Sequence, residues 1–419
     1  MSPIDLLCEQ LWGVAVSHPD LRVTRQAADD EWQDLERYWL VPSATRARLL
    51  LPVAAGRAVT AGACLNYRGL RPRHVNLARA ALGAAARAGA PLSPHTVAVQ
   101  ARRSRASAAA RLPLASVGAA LGAGEVFASL GVRSGANRKA TLSLVDSTGD
   151  AVGYAKVGWN ELTDGFVTTE SRVLHALDGG ASQVRTPRVL ADVAVDGHAV
   201  VVTEPLPDDV RAVAATTQWP TAQEMYALTP VHRRARLGDT GHARALGRRL
   251  AERRAGSPDR RTTDLLGRAE QLLSELCSLP GHLPVATRWH GDLTPWNAAR
   301  DGSGRLWIWD WETAEDDVLA GLDAFHWMFS VERLRVGSMT GIELHACLGR
   351  ALPHLVAAGT SRSQAPVVAA VYSVVVVERA ATLAALAGGW DRVWCGVDEL
   401  ETLLARARAL LDRPDPVSG

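Results

Sequence analysis

The stretch RWHGDLTPWN, residues 288–297, is followed closely by LWIWDWE, residues 306–312. Between them they set Asp292, Asn297 and Asp310 among tryptophans and an isoleucine, where a bare carboxylate is costly. The pattern reads as a strand (PVATRWH), a polar loop with Asp292 and Asn297, and a second strand (LWIWD) that delivers Asp310. Three oxygen ligands then converge in one cleft. Hard cations such as Mg²⁺ favour such ligands and leave their other positions to phosphate and water. With Asn297 and Asp310 holding metal, Asp292 is left to accept a hydroxyl proton. The bland alternative is a pair of solvated turns.

A second oddity lies upstream. In GFVTTESRVLHAL, residues 165–177, Val167, Val173, Leu174 and Leu177 fall within an arc of about 120° at helical spacing, with Glu170 near its middle. A carboxylate on an inward stripe needs a cation. Lys156, inside the apolar strand GYAKVG, is the nearest candidate. Lysine is scarce here: of 46 Lys+Arg, only Lys139 and Lys156 are lysines, and a narrow phosphate site discriminates a slim ammonium from a wide guanidinium. A Lys–Glu pair, metal ligands and a base at the acceptor make up the parts of phosphoryl transfer.

The order of elements suits these parts. EVFASLGV (125–132), KATLSLVD (139–146) and AVGYAKVGW (151–159) read as strands, the last two joined by the turn signal STGD. A helix is predicted over 166–178, then RVLADVAV and HAVVVTEPL as a hairpin around Asp196-Gly197. After Pro205 the chain is mostly helical. Residues 1 to about 100 read as a small mixed domain, with helices near 3–14 and 72–88 and strands at 48–53 and 95–100; residues 101–116 read as a basic linker or connecting helix.

At this point HGDLTPWN followed by WDWE resembles the paired signatures of the aminoglycoside phosphotransferase and choline-kinase-like superfamily, relatives of protein kinases; the likeness covers about residues 124–412. The resemblance implies an α+β, bilobal protein-kinase-like fold, with a small antiparallel-sheet lobe (117–206), a mostly helical lobe (207–419) and residues 1–116 as a preceding mixed domain. It implies Asp292 as catalytic base, Asn297 and Asp310 as Mg²⁺ ligands, and Lys156 on the ATP phosphates, oriented by Glu170. The backbone around Glu204–Leu206 becomes the hinge for adenine, His290 a structural residue of the loop, and Asp323 a support for it. The phosphate-covering loop falls at GVRSGANRKA (131–140), so Ser134 and Gly135 are candidate nucleotide contacts, with Lys139 assisting; this loop lacks the glycine pattern GxGxxG.

Asp310 is followed within about a dozen residues by helix, and neither DFG nor APE appears, so a small-molecule hydroxyl is expected rather than a peptide. Aminoglycoside, sugar, amino alcohol and other metabolites stay open, as do a catalytically silent pseudokinase or scaffold and a nucleotidyltransferase on the same fold. Composition excludes other classes. Net charge is +2, against nucleic acid or anionic membrane as partner, although residues 290–419 hold 11 Arg and 17 Asp/Glu, a net of −6. Five scattered cysteines without CxxC point to reduced thiols in the cytoplasm. The opening MSPIDLLCEQLW lacks the basic n-region of a signal peptide, and VVAAVYSVVVV (367–377) is too short to span a bilayer and reads as a buried helix.

Overall fold

Leu49 and Leu50 pair antiparallel with Gly131 and Leu130, and that contact decides the architecture of the N-terminal half. The computed structural model describes residues 3–53, 56–65, 70–122, 124–132, 139–181 and 183–412. Among these a nine-stranded sheet runs in the order Leu21–Thr24, Thr96–Arg102, Trp32–Val41, Leu49–Pro52, Phe127–Gly131, Ala140–Val145, Ala151–Val157, His198–Thr203, Val189–Val195, antiparallel throughout. One apolar core runs from Trp12 and Tyr38 through Leu130 and Leu142 to Val202.

The break expected between 116 and 117 therefore does not separate two bodies. The chain divides once, into a unit of Met1–Gly179 with Thr186–Arg211 and a unit of Gly180–Arg185 with Ala212–Gly419. The physical reason is that the edge the N-terminal strands present is satisfied by the strand at Phe127–Gly131, which extends one sheet instead of leaving two exposed edges. The basic stretch is not a loose linker either: Arg103–Arg111 forms a 3₁₀ turn and Pro113–Leu121 an α-helix, and Val117 of that helix enters the core with Leu112, which precedes it.

The second unit is mostly helical. Its longest helix, Ala365–Ala387, is apolar almost all round, Glu378 and Arg379 excepted, and packs among Gly241–Gly256, Arg260–Ser278, Leu322–Val336, Leu344–Ala357 and Val397–Leu411. Among the described residues, Arg362–Ala387 is the one helical segment long and apolar enough to cross a membrane, and most of it is buried within the protein. Two small sheets carry the loops of interest: Val231–Ala235, Leu283–Trp289 and Glu315–Leu319 pair antiparallel, while Ala298–Arg300 pairs with Leu306–Ile308. The chain is thus α+β, with three strands, a helix and two strands of antiparallel sheet followed by a helical unit, in the order read from the sequence.

Candidate active site

In the first unit, strand pairing sets Lys156 between Thr141 and Val201. The helix that faces it begins earlier than the apolar pattern suggests. Asn160 caps Glu161–Leu177, its side chain accepting from the Thr163 amide at 2.9 Å while Thr163 Oγ1 accepts from the Asn160 amide at 3.1 Å. Asp164 then ties this first turn to the sheet, accepting from the Ala199 amide at 2.9 Å beside His198 Nδ1, also at 2.9 Å. Gly158 makes room for that carboxylate, because a Cβ there would lie 2.0 Å from Asp164 Oδ1.

So anchored, the helix buries Val167, Val173, Leu174 and, at 2% exposure, Glu170. Lys156 Nζ lies 2.5 Å from Glu170 Oε1 and also contacts Oε2. Lys139 Nζ stands 3.9 Å from the same Oε2. Both lysines of the chain thus meet one buried carboxylate, which offsets its desolvation. Ser134 and Gly135 lie outside the described residues. Glu204 spends its amide on the Arg188 carbonyl at 2.9 Å and its carboxylate on the Arg188 amide and guanidinium, at 3.1 and 3.0 Å. Its side chain is thus a brace within its own unit, and Leu206, two residues on, is buried.

In the second unit, the strand Leu283–Trp289 ends at a loop held from beneath. The buried Asp323 carboxylate accepts the amides of His290 and Gly291 at 2.8 and 3.1 Å. His290 Nδ1 accepts the Asp292 amide at 3.2 Å, so its Nε2–H donates to the Trp309 carbonyl at 2.9 Å. Burial lowers the His290 pKa, against the pull of Asp323, and the ring is neutral in this role. Burial raises the Asp323 pKa, with His290 and the two amides opposing.

This frame brings the three predicted residues together. Asn297 Nδ2 donates to the Asp292 carbonyl at 3.0 Å and to Asp292 Oδ2 at 2.9 Å, while the Trp309 amide donates to the Asn297 carbonyl at 3.2 Å, next to Asp310. Asp310 has φ 71° and ψ 50°, a left-handed conformation that a non-glycine residue adopts at a cost. The donor set fits a hard cation. With its amide nitrogen committed to Asp292, Asn297 offers Oδ1, and half-buried Asp310 offers carboxylate oxygens.

Sequence reasoning passed over three residues. His326 Nε2 lies 3.2 Å from Asp292 Oδ1, and its Nδ1 lies 2.7 Å from the hydroxyl of buried Tyr372. Arg379 donates to the carbonyls of Gly291 and Thr313. The one signal available was spacing: His326 follows Asp323 by three on a helix, so the two share a face.

No protein-family model and no curated protein sequence matches this chain. Solved structures do. A crystal structure of LicA in complex with AMP is 14% identical, covers 68% of this chain and 92% of its own, and superposes with a TM-score of 0.42. The choline kinase LicA from Streptococcus pneumoniae is 12% identical, covers 65% of this chain and 89% of its own, and gives a TM-score of 0.37.

Proposed function

We propose that the chain is an ATP- and magnesium-dependent phosphotransferase that acts on the hydroxyl of a small molecule. The observation that carries this reading is the state of Asp292: both carboxylate oxygens meet neighbours, Oδ2 at Asn297 and Oδ1 at His326, yet the side chain keeps 39% exposure. A merely solvated aspartate has no reason to be fixed from two sides. An oriented, reachable carboxylate is what a general base requires.

On this reading Lys156 holds nucleotide phosphates, with Glu170 fixing the ammonium, and Asn297 and Asp310 hold the metal. Magnesium, when bound, neutralises charge on the phosphates. Asp292 takes the acceptor's proton as its oxygen bonds to the γ-phosphorus. The bond from that phosphorus to the bridging oxygen breaks, and its electron pair leaves on ADP. The short path from Asp310 through Glu315–Leu319 to the helix Leu322–Val336 leaves little chain to dock a peptide, which favours an aminoglycoside, sugar, amino alcohol or similar metabolite. Five free cysteines, three of them buried, suit a reducing cytoplasm.

The test is Asp292→Asn, which keeps shape and removes basicity. Mg-ATP should stabilise wild type and variant alike in a thermal shift, while ADP release during a screen of hydroxyl compounds is lost only in the variant. Equal turnover in both would eliminate the assigned base. Absence of any shift with Mg-ATP would favour a silent scaffold, and pyrophosphate in place of ADP would favour nucleotidyl transfer.

A further inference from the structure

The hydroxyl of Tyr372 is buried beside Phe325 and Phe329, with ring centroids 5.1 Å from each, and its hydrogen-bond partner among the described residues is His326 Nδ1, at 2.7 Å. A buried phenol keeps its proton, and burial raises its pKa further. Nδ1 is the acceptor that the described residues offer this buried O–H, and donation to it satisfies the phenol's proton. A ring nitrogen that accepts carries no proton, so the imidazole then holds its proton on Nε2, the atom 3.2 Å from Asp292 Oδ1. The other charged or titratable groups near this chain of bonds are Asp323, Arg379, Arg333 and Cys347, none of which hydrogen-bonds to the His326 ring or the phenol.

We propose that Tyr372 and His326 form a positioning relay, in which the phenol selects the Nε2–H tautomer and the imidazole then orients Asp292 through Oδ1. The proposal rests on the phosphotransferase reading of Asp292. With Asn297 on Oδ2 and His326 on Oδ1, rotation of the carboxylate is blocked from both sides, and each oxygen keeps a lone pair for the acceptor's proton. Tyr372 lies on the helix Ala365–Ala387 and His326 on Leu322–Val336, so the orientation of a loop residue is set by two packed helices.

The experiment has two independent readouts. Ring ¹⁵N shifts of His326 in the full-length protein should report the neutral Nε2–H tautomer, and Tyr372→Phe should abolish that preference. A ring that is doubly protonated, or that carries its proton on Nδ1, overturns the proposal. The second readout is ADP release from Mg-ATP with water as the acceptor. His326→Ala should lower kcat roughly tenfold to a hundredfold, the loss expected for one hydrogen bond to a charged group, with KM for ATP unchanged. His326→Gln, whose amide can accept from the phenol and donate to Asp292, should recover most of that loss; a purely packing role would not separate Gln from Ala in this way. If Asp292→Asn removes ADP release while His326→Ala keeps the wild-type kcat, the relay is wrong. If Asp292→Asn changes nothing, the base assignment is wrong, and the tautomer measurement still decides the Tyr372–His326 link.

Discussion

The guanidinium carbon of Arg379 lies 4.7 Å from the centroid of the Trp289 indole, and the same side chain donates to the carbonyls of Gly291 and Thr313. One residue of the helix Ala365–Ala387 therefore packs on the strand that enters the 290–297 loop and ties that loop to the segment after Asp310. Glu315, 3.9 Å away and 2.9 Å from Arg249, completes the ion cluster. Arg379→Met keeps the apolar stem but strips two carbonyls of their donor. The variant should lose about 2–4 kcal/mol of stability in urea titration. Arg379→Lys should recover less than half, because a single ammonium cannot reproduce the fork. Wild-type stability in Arg379→Met would refute this buttress.

The convergence of Lys139 and Lys156 on Glu170 makes their contributions interdependent. Removing one member of a buried pair costs roughly 3–5 kcal/mol when nothing replaces it. Here Lys139, at 3.9 Å, partly replaces Lys156, so Lys156→Met should cost less than that range and Lys139→Met less still. The double variant should exceed the sum of the singles by about 1 kcal/mol or more, since the second loss strands the carboxylate. Adding Glu170→Gln to the double variant should restore stability. Simple additivity in denaturant midpoints would show that the two ammonium groups do not share the carboxylate.

Much of this was legible in the chain, and the misses have physical causes. Asp196-Gly197 forms its hairpin with φ of 51° and 86°, the left-handed pair such a turn demands. The Glu170 stripe was readable from period alone, but the helix start was not: the apolar pattern begins near 166, whereas the cap at Asn160 starts the helix at Glu161. The strand Trp32–Val41 hid because Asp34, Glu36 and Arg37 spoil its alternation. They are satisfied by one another and by neighbours: Arg37 bonds Asp34, Gln100 bonds Asp34 at 2.7 Å, and Tyr38 bonds Glu36 at 2.7 Å. Asp292, Asn297 and Asp310 could be grouped from the chain because they lie close together in sequence. His326 and Tyr372 stand 46 residues apart and meet only through packing of two helices, which leaves no periodic signature.

Stability should fall on mild acidification. His242 and His290 are both buried, and burial lowers both pKa values from the ordinary 6.5, with Glu315 and Asp323 respectively opposing. As pH drops through about 6.5, histidines of the unfolded chain take up protons that the folded ones refuse. The contribution is therefore complete above 6.5 and is lost below it, down to the lowered folded value, at up to about 1.4 kcal/mol per pH unit for each group. His242 suits the test, since among the described residues neither of its nitrogens has a hydrogen-bond partner, Nε2 lies 3.7 Å from Glu315, and its ring meets Trp289 edge-on at 5.8 Å. In His242→Phe the acid slope of unfolding free energy should shrink by about one proton. An unchanged slope would show that His242 already carries its proton in the folded chain, paired with Glu315.

Gly291 offers the sharpest steric test of the loop that carries Asp292. Its φ is +85°, and a Cβ there would sit 2.3 Å from the Thr313 carbonyl oxygen and 2.9 Å from Arg379 Nη2. The nearest obstacle is backbone, so it cannot swing aside as a side chain does. An added methyl must push apart the loop and the Trp311–Thr313 turn that follows Asp310, and the left-handed backbone alone costs roughly 1–2 kcal/mol for a residue with Cβ. Gly291→Ala should therefore lose more than that in urea and should also lose the amide bond to Asp323, which displaces Asp292 next to it. The expected signature is a fall in kcat larger than the loss of folded protein explains, read from ADP release at a temperature where circular dichroism shows the variant folded. Full activity and stability in Gly291→Ala would mean that the loop does not pass this close to Thr313.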